Sequence, residues 1–417
     1  MKLSLFSTLT TAVTVSMLLA AVSCKDAEVT SDPTPNPGIS GELRVSAPFA
    51  DQTTQFAFDV TKRVSTEKGQ NKNLFISPLS LHMLLGMVLN GANGQTAQEI
   101  QKTLKLNAQT LTEVNQTYQN LLANLPGVDP QVTLNLANSV WYRNTFTVET
   151  AFKNLLKDFF KVEMSAQNFD DQATVGNINR WASDKTNGKI PKVIDQIQSN
   201  SVMFLLNALY FKGDWKTQFD PTKTVDAPFK LVSGGTTNVR MMRLNTNLKR
   251  GLRPTYTAFE LPYGSDKFAM TVLLPAESTT ADALINAFDS SEWTQLQKDM
   301  VLGNIDIGLP KFTLNDDLSL NSALNALGMP TAFTDRADFT KINAKGGVLL
   351  SSVKQNTFVA VDERGTEAAA VTTGEMQVTA VPVATLCDRP FIFVIHEKTT
   401  GTILFIGKIA NPTLTNS

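Results

Sequence analysis

The sequence predicts one large domain of the α+β class, and three observations support this fold class. The predicted helices lie mostly early in the chain, whereas the predicted strands come in blocks. No Pro/Gly/Ser-rich linker interrupts residues 46–414, although a chain of 417 residues is longer than a typical single domain. The hydrophobic fraction of 42% is ample for a sizeable core.

The N-terminus indicates a targeting segment. Lys2 precedes an apolar, Ser/Thr-rich run over residues 3–23, and this run ends at AVSC, which places a small residue directly before Cys24. The pattern resembles a bacterial lipoprotein signal in which Cys24 is lipidated, although Ala21 stands where that pattern prefers Leu or Val. A plain signal peptide with an incidental cysteine is the alternative.

The expected division of the chain has three parts. They are a signal peptide at 1–23, a lipidated cysteine with a flexible tether at 24–45, and a folded domain at 46–417. The charged patch Lys25–Glu28 resembles surface-export signals of some Gram-negative lipoproteins. We therefore expect an outer-membrane or cell-surface lipoprotein, otherwise a secreted protein, which contacts the membrane only through its lipid anchor.

The helices are predicted from apolar residues at helical spacing and from start and stop signals. Pro78 suits the first turn of one helix, and Asn187-Gly188 is a stop signal for another. The predicted helices are Leu81–Asn90, Glu99–Leu106, Leu111–Leu125 and Val175–Thr186.

The strands are predicted from short apolar runs that turn residues bound. These runs are Val132–Tyr142, Ser201–Phe211, Phe268–Leu274, Ile305–Leu309, Thr357–Val361, Phe391–His396 and Ile403–Ile406.

The most informative segment is residues 361–389, VDERGTEAAAVTTGEMQVTAVPVATLCDR. Between Arg364 and Arg389 it contains no Lys or Arg and is rich in Ala, Val and Thr, which cost little to bury and suit a strand. Gly365 would allow a sharp change of backbone direction. The segment therefore has the composition of a central β-strand, and we expect it to adopt two conformations.

Motifs along nearly the whole chain resemble the signatures of the serpins, serine protease inhibitors that trap a protease by inserting a reactive-centre loop into their own sheet. The motifs occur in the order found in that family, from about residue 50 to residue 412. They are NLFISPLS at 73–80, INRWASDKTNGKI at 178–190, NALYFKGD at 207–214, VRMM at 239–242, LPYG at 261–264, LPKF at 309–312, LGMPTAFTDRADF at 327–339, DRPFIF at 388–393 and TGTILFIGKIANP at 400–412.

The resemblance implies a fold and a mechanism. The fold would have three β-sheets, about eight or nine helices and an exposed reactive-centre loop. A protease would cleave the loop and form an acyl-enzyme, and residues 365–379 would then insert into the central sheet. These 15 residues span on the order of 50 Å when extended. The protein would be an inhibitor rather than an enzyme.

The hinge of the loop favours inhibition over a non-inhibitory binding or chaperone role. By resemblance it comprises Glu363, Gly365, Thr366, Glu367, Ala368, Ala369 and Ala370. Side chains alternate across a strand, so every second residue from Thr366 to Thr372 is expected to face inward. An inward charge would cost several kcal/mol, and none occurs at these positions.

The family's spacing places the reactive bond at Thr379-Ala380. Counts from Glu363 and from Pro390 give the same bond. The small, β-branched Thr379 suits a protease with a shallow, apolar pocket of the elastase type. The alternative bond, Met376-Gln377, would serve chymotrypsin- or subtilisin-like enzymes. Inhibition of cysteine proteases is a further option that the sequence leaves open.

Four polar residues resemble the shutter, the region under the sheet where serpins open. They are Ser77, Ser80, Asn207 and Gln355. Buried hydroxyl and amide groups need hydrogen-bond partners, and such a network can break and re-form as strands part. The family commonly has His where Gln355 stands. Because Gln both donates and accepts, we expect the network to persist without pH dependence at this position.

Other functional classes have little support in the sequence. Lys+Arg 37 against Asp+Glu 38 gives a net charge of -1 with no basic run, so nucleic-acid binding is not indicated. His82 and His396 are the two histidines, and no G-x-S-x-G, HExxH or Walker A motif occurs. A Cys387/His396 dyad is conceivable, but Cys387 is expected to pack as a small apolar residue. We expect no metal or cofactor, and a monomer.

Overall fold

Residues 42–107, 109–366 and 384–415 are described by the computed structural model of the protein. They belong to a unit that runs from Gly38 to Ser417. The predicted signal peptide, Cys24 and nearly all of the tether lie outside the described residues.

Nine α-helices form in this part of the chain, as the resemblance implied. The four helices predicted from spacing are present, with ends displaced by up to five residues. The helices are α1 (Ala47–Lys68), α2 (Pro78–Gly91), α3 (Gly94–Thr103), α4 (Leu111–Asn124), α5 (Thr150–Phe160), α6 (Ala173–Lys185), α7 (Ala281–Ala287), α8 (Ser290–Asp299) and α9 (Asn321–Leu327).

Fifteen strands form among the described residues, and all seven predicted strands are among them. The strands are β1 (Leu74–Ile76), β2 (Val132–Arg143), β3 (Glu163–Gln167), β4 (Met203–Asp214), β5 (Val225–Lys230), β6 (Thr236–Arg253), β7 (Tyr256–Tyr263), β8 (Phe268–Pro275), β9 (Val301–Pro310), β10 (Phe312–Ser319), β11 (Lys354–Val361), β12 (Gly365–Thr366), β13 (Thr385–Leu386), β14 (Phe391–Glu397) and β15 (Ile403–Ile409).

The strands pair into two hydrogen-bonded sheets within the described residues. A six-stranded sheet has the order β10-β11-β12-β4-β2-β3, and a nine-stranded sheet has the order β1-β15-β14-β8-β7-β6-β9-β13, with β5 also paired to β6. The resemblance implied three sheets. The count differs because the 18-residue β6 pairs with β5 and β9 along most of its length and with β7 at its end, which joins two groups of strands.

Helix α2 forms the centre of the core. It packs against β4 of the six-stranded sheet and against β15 of the nine-stranded sheet. Ser77 begins this helix, since its side chain accepts a hydrogen bond from the Ser80 backbone N–H, and Pro78 occupies the first turn. All residues of α2 except Leu84 are buried, which explains why its sequence is apolar on every face. None of the described helices has the length and hydropathy needed to cross a membrane.

Candidate functional site at the gap in the six-stranded sheet

The six-stranded sheet has a gap between β11 and β4. In the strand order of the described residues, these two long strands are neighbours only through β12, which is two residues long. Thr366 pairs with Val361 of β11 on one side and with Gly213 of β4 on the other. The first two residues of the predicted insertion segment therefore already lie in the sheet.

A turn at residues 362–364 leads from β11 into this gap. The Asp362 carboxylate accepts hydrogen bonds from the backbone N–H groups of Arg364 at 2.9 Å and Gly365 at 3.3 Å. Gly365 itself lies in strand β12, so the turn is made before it. A Cβ on Gly365 would lie 2.2 Å from the carbonyl oxygen of Gly213. In this structure glycine at position 365 provides the space for close approach to β4, and the expectation that Gly365 allows a change of backbone direction between two conformations stays a prediction.

Glu363 anchors the base of the hinge to the nine-stranded sheet and its flanks. Its carboxylate lies 2.7 Å from Lys311 Nζ and accepts a 2.8 Å hydrogen bond from the Thr224 hydroxyl. Its backbone carbonyl accepts from Phe219 N–H. Burial alone would raise the pKa of Glu363, but the hydrogen bonds from Lys311 and Thr224 outweigh it and hold the pKa below its usual value. The carboxylate is therefore charged at neutral pH.

Thr366 is 2% exposed, and its side chain points into the protein, on the side that strand alternation predicts. Its hydroxyl oxygen lies 2.6 Å from the hydroxyl oxygen of Tyr263, the last residue of β7. The Tyr263 ring stacks on Trp215 with a centroid distance of 4.5 Å. Trp215 in turn donates through its indole N–H to the Asp362 carbonyl. These contacts hold the hinge at the end of the gap that lies beside Val361 of β11 and Gly213 of β4.

From the hinge toward the first residues of β4 and β11, the space between these two strands is first narrow and then widens. Directly beside Thr366 the space is only about 10 Å³, and Lys189, just past the end of α6, lies over the Phe358 ring of β11 at 5.0 Å. Farther down, a cleft of about 400 Å³ lies between β4 and β11. Its walls include Leu81, Leu84 and Val88 of α2, Trp181 of α6, Phe204 of β4 and Phe339. The cleft has mainly apolar side chains and lies where an inserted strand would pass.

The predicted shutter residues lie beside this cleft in two groups. Gln355 accepts from Ser77 N–H and donates to the Ser77 carbonyl, both at 2.9 Å, so it uses both functions of its amide. Ser80 also lines the cleft. Asn207 instead donates through its side-chain N–H to the side-chain oxygen of Asn138 at 2.6 Å. The structure therefore joins Ser77 to Gln355 directly and places Asn207 on the opposite wall.

Asn207 carries an unsatisfied acceptor. Its side-chain oxygen is buried and has no hydrogen-bond partner among the described residues. A buried acceptor without a partner costs free energy, typically about 1–3 kcal/mol. Because Asn207 lines the cleft, a donor that entered the gap at this level would satisfy it.

The candidate catalytic residues are all in the core. Cys387 is fully buried, and burial raises the pKa of its thiol well above the usual range, so it stays protonated. Burial also lowers the pKa of His82 and of His396 to about 4, so both imidazoles are neutral near pH 7. His82 hydrogen-bonds to Tyr118, and His396 to Thr271. Across the described residues no group of three or more His, Cys, Asp or Glu side chains is arranged to hold a metal ion.

Part of the predicted site lies outside the described residues. This part comprises Glu367, Ala368, Ala369, Ala370, both candidate bonds at Thr379-Ala380 and Met376-Gln377, and Cys24.

Sequence reasoning missed several residues that hold the hinge. They are Thr224, Trp215, Tyr263 and Lys311. Tyr263 and Lys311 stand inside the LPYG and LPKF motifs, which identified the segments without indicating what these side chains contact.

Known proteins show the same fold and sequence pattern. The model of the family described as Serpin (serine protease inhibitor) matches residues 51–412. The leukocyte elastase inhibitor of Xenopus laevis is 32% identical over 383 residues, which cover 86% of this chain and 98% of that protein. Serpin B8 of Bos taurus is 33% identical over 369 residues, which cover 86% of this chain and 97% of that protein.

Solved structures agree with the sequence relatives. The native state of tengpin, a thermophilic serpin, superimposes with a TM-score of 0.81 at 30% identity and covers 89% of this chain and 96% of that one. Thyroxine-binding globulin in complex with thyroxine has a TM-score of 0.79 at 27% identity, with 88% of this chain and 99% of that chain covered. The family model, the relatives and the shared fold together lead to one conclusion: the chain belongs to the serpin family.

Proposed function

We propose that this protein is a suicide-type inhibitor of serine endopeptidases that acts by inserting residues 365–379 between β4 and β11. One observation supports this proposal most strongly. The hinge residues Gly365 and Thr366 already occupy the position of a strand between these two neighbours, in an antiparallel register with both. A chain that continues from Thr366 in the same direction enters the cleft.

The register predicts which residues would meet. Each step along the inserted segment moves one residue back along both β4 and β11. The inward residues would then lie between these pairs: Ala368 between Phe211 and Val359, Ala370 between Leu209 and Thr357, and Thr372 between Asn207 and Gln355. Val359, Thr357 and Gln355 of β11 are buried, so the small inward side chains of the inserted segment suit the limited space beside them. The Thr372 hydroxyl is a suitable donor for the unsatisfied Asn207 oxygen.

Insertion would move an attached protease a long way. Cleavage frees the loop while the protease remains bound as an acyl-enzyme, and 15 extended residues span on the order of 50 Å. Each new ladder hydrogen bond contributes about 1 kcal/mol net, so a dozen or so can drive this movement. The narrow space beside Thr366 has to open first, which requires the contact of Lys189 with Phe358 to part.

The expected targets are elastase-like proteases. Thr379 would occupy the specificity pocket, and a small β-branched side chain suits a shallow apolar pocket. The similarity to leukocyte elastase inhibitors supports this preference. Subtilisin- and chymotrypsin-like enzymes, which would cut at Met376, are second candidates, and cysteine proteases are a third class to test.

The function is tested by mixing the full chain with pancreatic or neutrophil elastase and looking for an adduct that survives SDS. An adduct of the summed mass supports inhibition by trapping. Complete cleavage of the loop without an adduct would contradict it and favour a binding protein. The fold likeness to thyroxine-binding globulin makes this the alternative function, together with a chaperone role, and a subsequent screen for small apolar ligands would address it.

We further propose that the protein is a bacterial lipoprotein anchored through Cys24, which places the inhibitor outside the cytoplasm. The support is the N-terminal sequence alone. The substitution Cys24→Ala should release the protein from membrane fractions and leave its inhibition of elastase unchanged, because residues 25–45 would act only as a tether. Fractionation of expressing bacteria measures this. Membrane association that persists in the variant would rule out the lipid anchor.

A further inference from the structure

Two buried hydroxyl groups meet where the hinge enters the sheet. Tyr263 is fully buried, and its hydroxyl oxygen lies 2.6 Å from that of Thr366. Tyr263 ends strand β7 of the nine-stranded sheet, whereas Thr366 lies in the six-stranded sheet. This hydrogen bond therefore ties the first inserted side chain to a separate part of the fold.

The surroundings of Tyr263 position its hydroxyl. Its ring lies between Trp215, on which it stacks, and Phe211, which it meets edge-on at a centroid distance of 5.0 Å. A Cβ on Gly213, the residue that pairs with Thr366, would lie 3.0 Å from the Tyr263 ring. The ring thus has little freedom to move, and its hydroxyl points to the one position where Thr366 lies.

A strand of two residues gains few ladder hydrogen bonds, so it holds its place weakly by backbone pairing alone. One side-chain hydrogen bond between buried groups is then a large share of what keeps Thr366 in the sheet. The Glu363 carboxylate is bound three residues earlier, and the carbonyls of Arg364 and Gly365 accept hydrogen bonds from the backbone N–H groups of Trp215 and Asp362. The Tyr263 hydroxyl is the group that binds the side chain of Thr366 itself.

We propose that Tyr263 is a positioning residue that latches Thr366 in the sheet before any protease acts. Insertion then begins from a strand that is already nucleated. This inference rests on the proposed function, in which insertion competes with hydrolysis of the acyl-enzyme. A nucleated start shortens the time to full insertion, so Tyr263 raises the fraction of encounters that end in a trapped protease.

The test compares Tyr263→Phe and Thr366→Val, each of which removes one hydroxyl and keeps the shape of the side chain. The control is Tyr256→Phe, at the other end of β7, whose buried hydroxyl bonds to Glu292 away from the hinge. Hydrogen exchange at the amides of Gly365 and Thr366 reports docking without any protease. We expect exchange to rise about fivefold in both hinge variants, the change that follows from losing one hydrogen bond, and not in the control.

The second readout is the ratio of SDS-stable adduct to cleaved inhibitor with elastase. This ratio should fall severalfold in Tyr263→Phe and in Thr366→Val. Thr366→Ser, which keeps the hydroxyl, should restore it, and the double variant should be no worse than either single one.

If amide hydrogen exchange is unchanged in Tyr263→Phe and Thr366→Val, Tyr263 does not hold Thr366 in the sheet. This conclusion does not depend on whether the wild type traps a protease. Equal losses in the Tyr256→Phe control, or additive losses in the double variant, would also overturn the latch, because they indicate general destabilisation. Failure of the wild type to form an adduct would instead reject the proposed function, and the exchange measurement would still decide the latch.

Discussion

Thr366→Arg is expected to abolish the stable adduct with elastase while cleavage of the loop continues at a similar rate. Thr366 is 2% exposed and fully enclosed by β11, β4 and the Tyr263 hydroxyl. An arginine there would have to bury a guanidinium without a partner, at a cost of several kcal/mol. Insertion should then become slower than hydrolysis of the acyl-enzyme, so the protease escapes.

The measurement is the ratio of adduct to cleaved product on a denaturing gel, for the wild type and the variant. Thr373→Arg is the matched control, because strand alternation places residue 373 on the solvent side of the inserted segment. It introduces the same charge in the same loop and should keep most of the adduct. A wild-type ratio in Thr366→Arg would show that the protein does not act by insertion through this hinge.

Thr379→Arg should change the target from elastase-like to trypsin-like enzymes. The residue that fills the specificity pocket dominates protease choice, and a large cation does not fit a shallow apolar pocket. We expect the rate of adduct formation with elastase to fall on the order of 100-fold, with a new adduct to trypsin. The hinge is unchanged, so trapping itself should remain efficient.

The position of the reactive bond is measured by mass spectrometry of the C-terminal peptide that a protease releases from the wild type. A peptide that begins at Ala380 supports Thr379-Ala380. One that begins at Gln377 would move the bond to Met376, and Met376→Arg rather than Thr379→Arg would then create the trypsin target. Testing both variants against trypsin separates the two positions.

The two substitutions should act independently. Thr366 and Thr379 are thirteen residues apart in the sequence. Thr366 determines whether the cleaved loop inserts, whereas Thr379 determines which protease cleaves the loop. The double variant should therefore be cleaved by trypsin as a substrate without trapping it.

Local patterns in the sequence were sufficient for the fold class and for the elements with regular spacing. Helix α2 and strand β14 were predicted nearly to their ends, because a buried helix or strand keeps apolar residues along its whole length. Strands β2 and β4 were predicted to within three residues from apolar runs, although both are only partly buried. Helix α1 was missed: polar residues such as Asp51, Gln52 and Lys62 interrupt its apolar spacing, although Phe49, Phe56 and Val60 are buried.

For the shutter residues, the sequence indicated the region of the fold but not all of the side-chain contacts. The ability of Gln355 to donate and accept follows from its chemistry, and the structure shows both bonds to Ser77. The sequence placed Asn207 in the same region, but its partner Asn138 comes from the neighbouring strand β2, 69 positions earlier in the sequence. No pattern along the chain indicated that one oxygen of Asn207 lacks a partner.

By itself the sequence determined the α+β class, the family motifs and a loop with the composition of a central strand, since apolar spacing and residue type act over a few neighbours. Only the tertiary structure decided that β6 joins two groups of strands, that Gly365 lies too close to β4 for any side chain, and that Tyr263 meets Thr366. Gly365 and Thr366 contact residues more than 100 positions away in the sequence, and β6 pairs with β9 about 50–70 positions away. Such contacts form through burial of the whole core rather than through local preference.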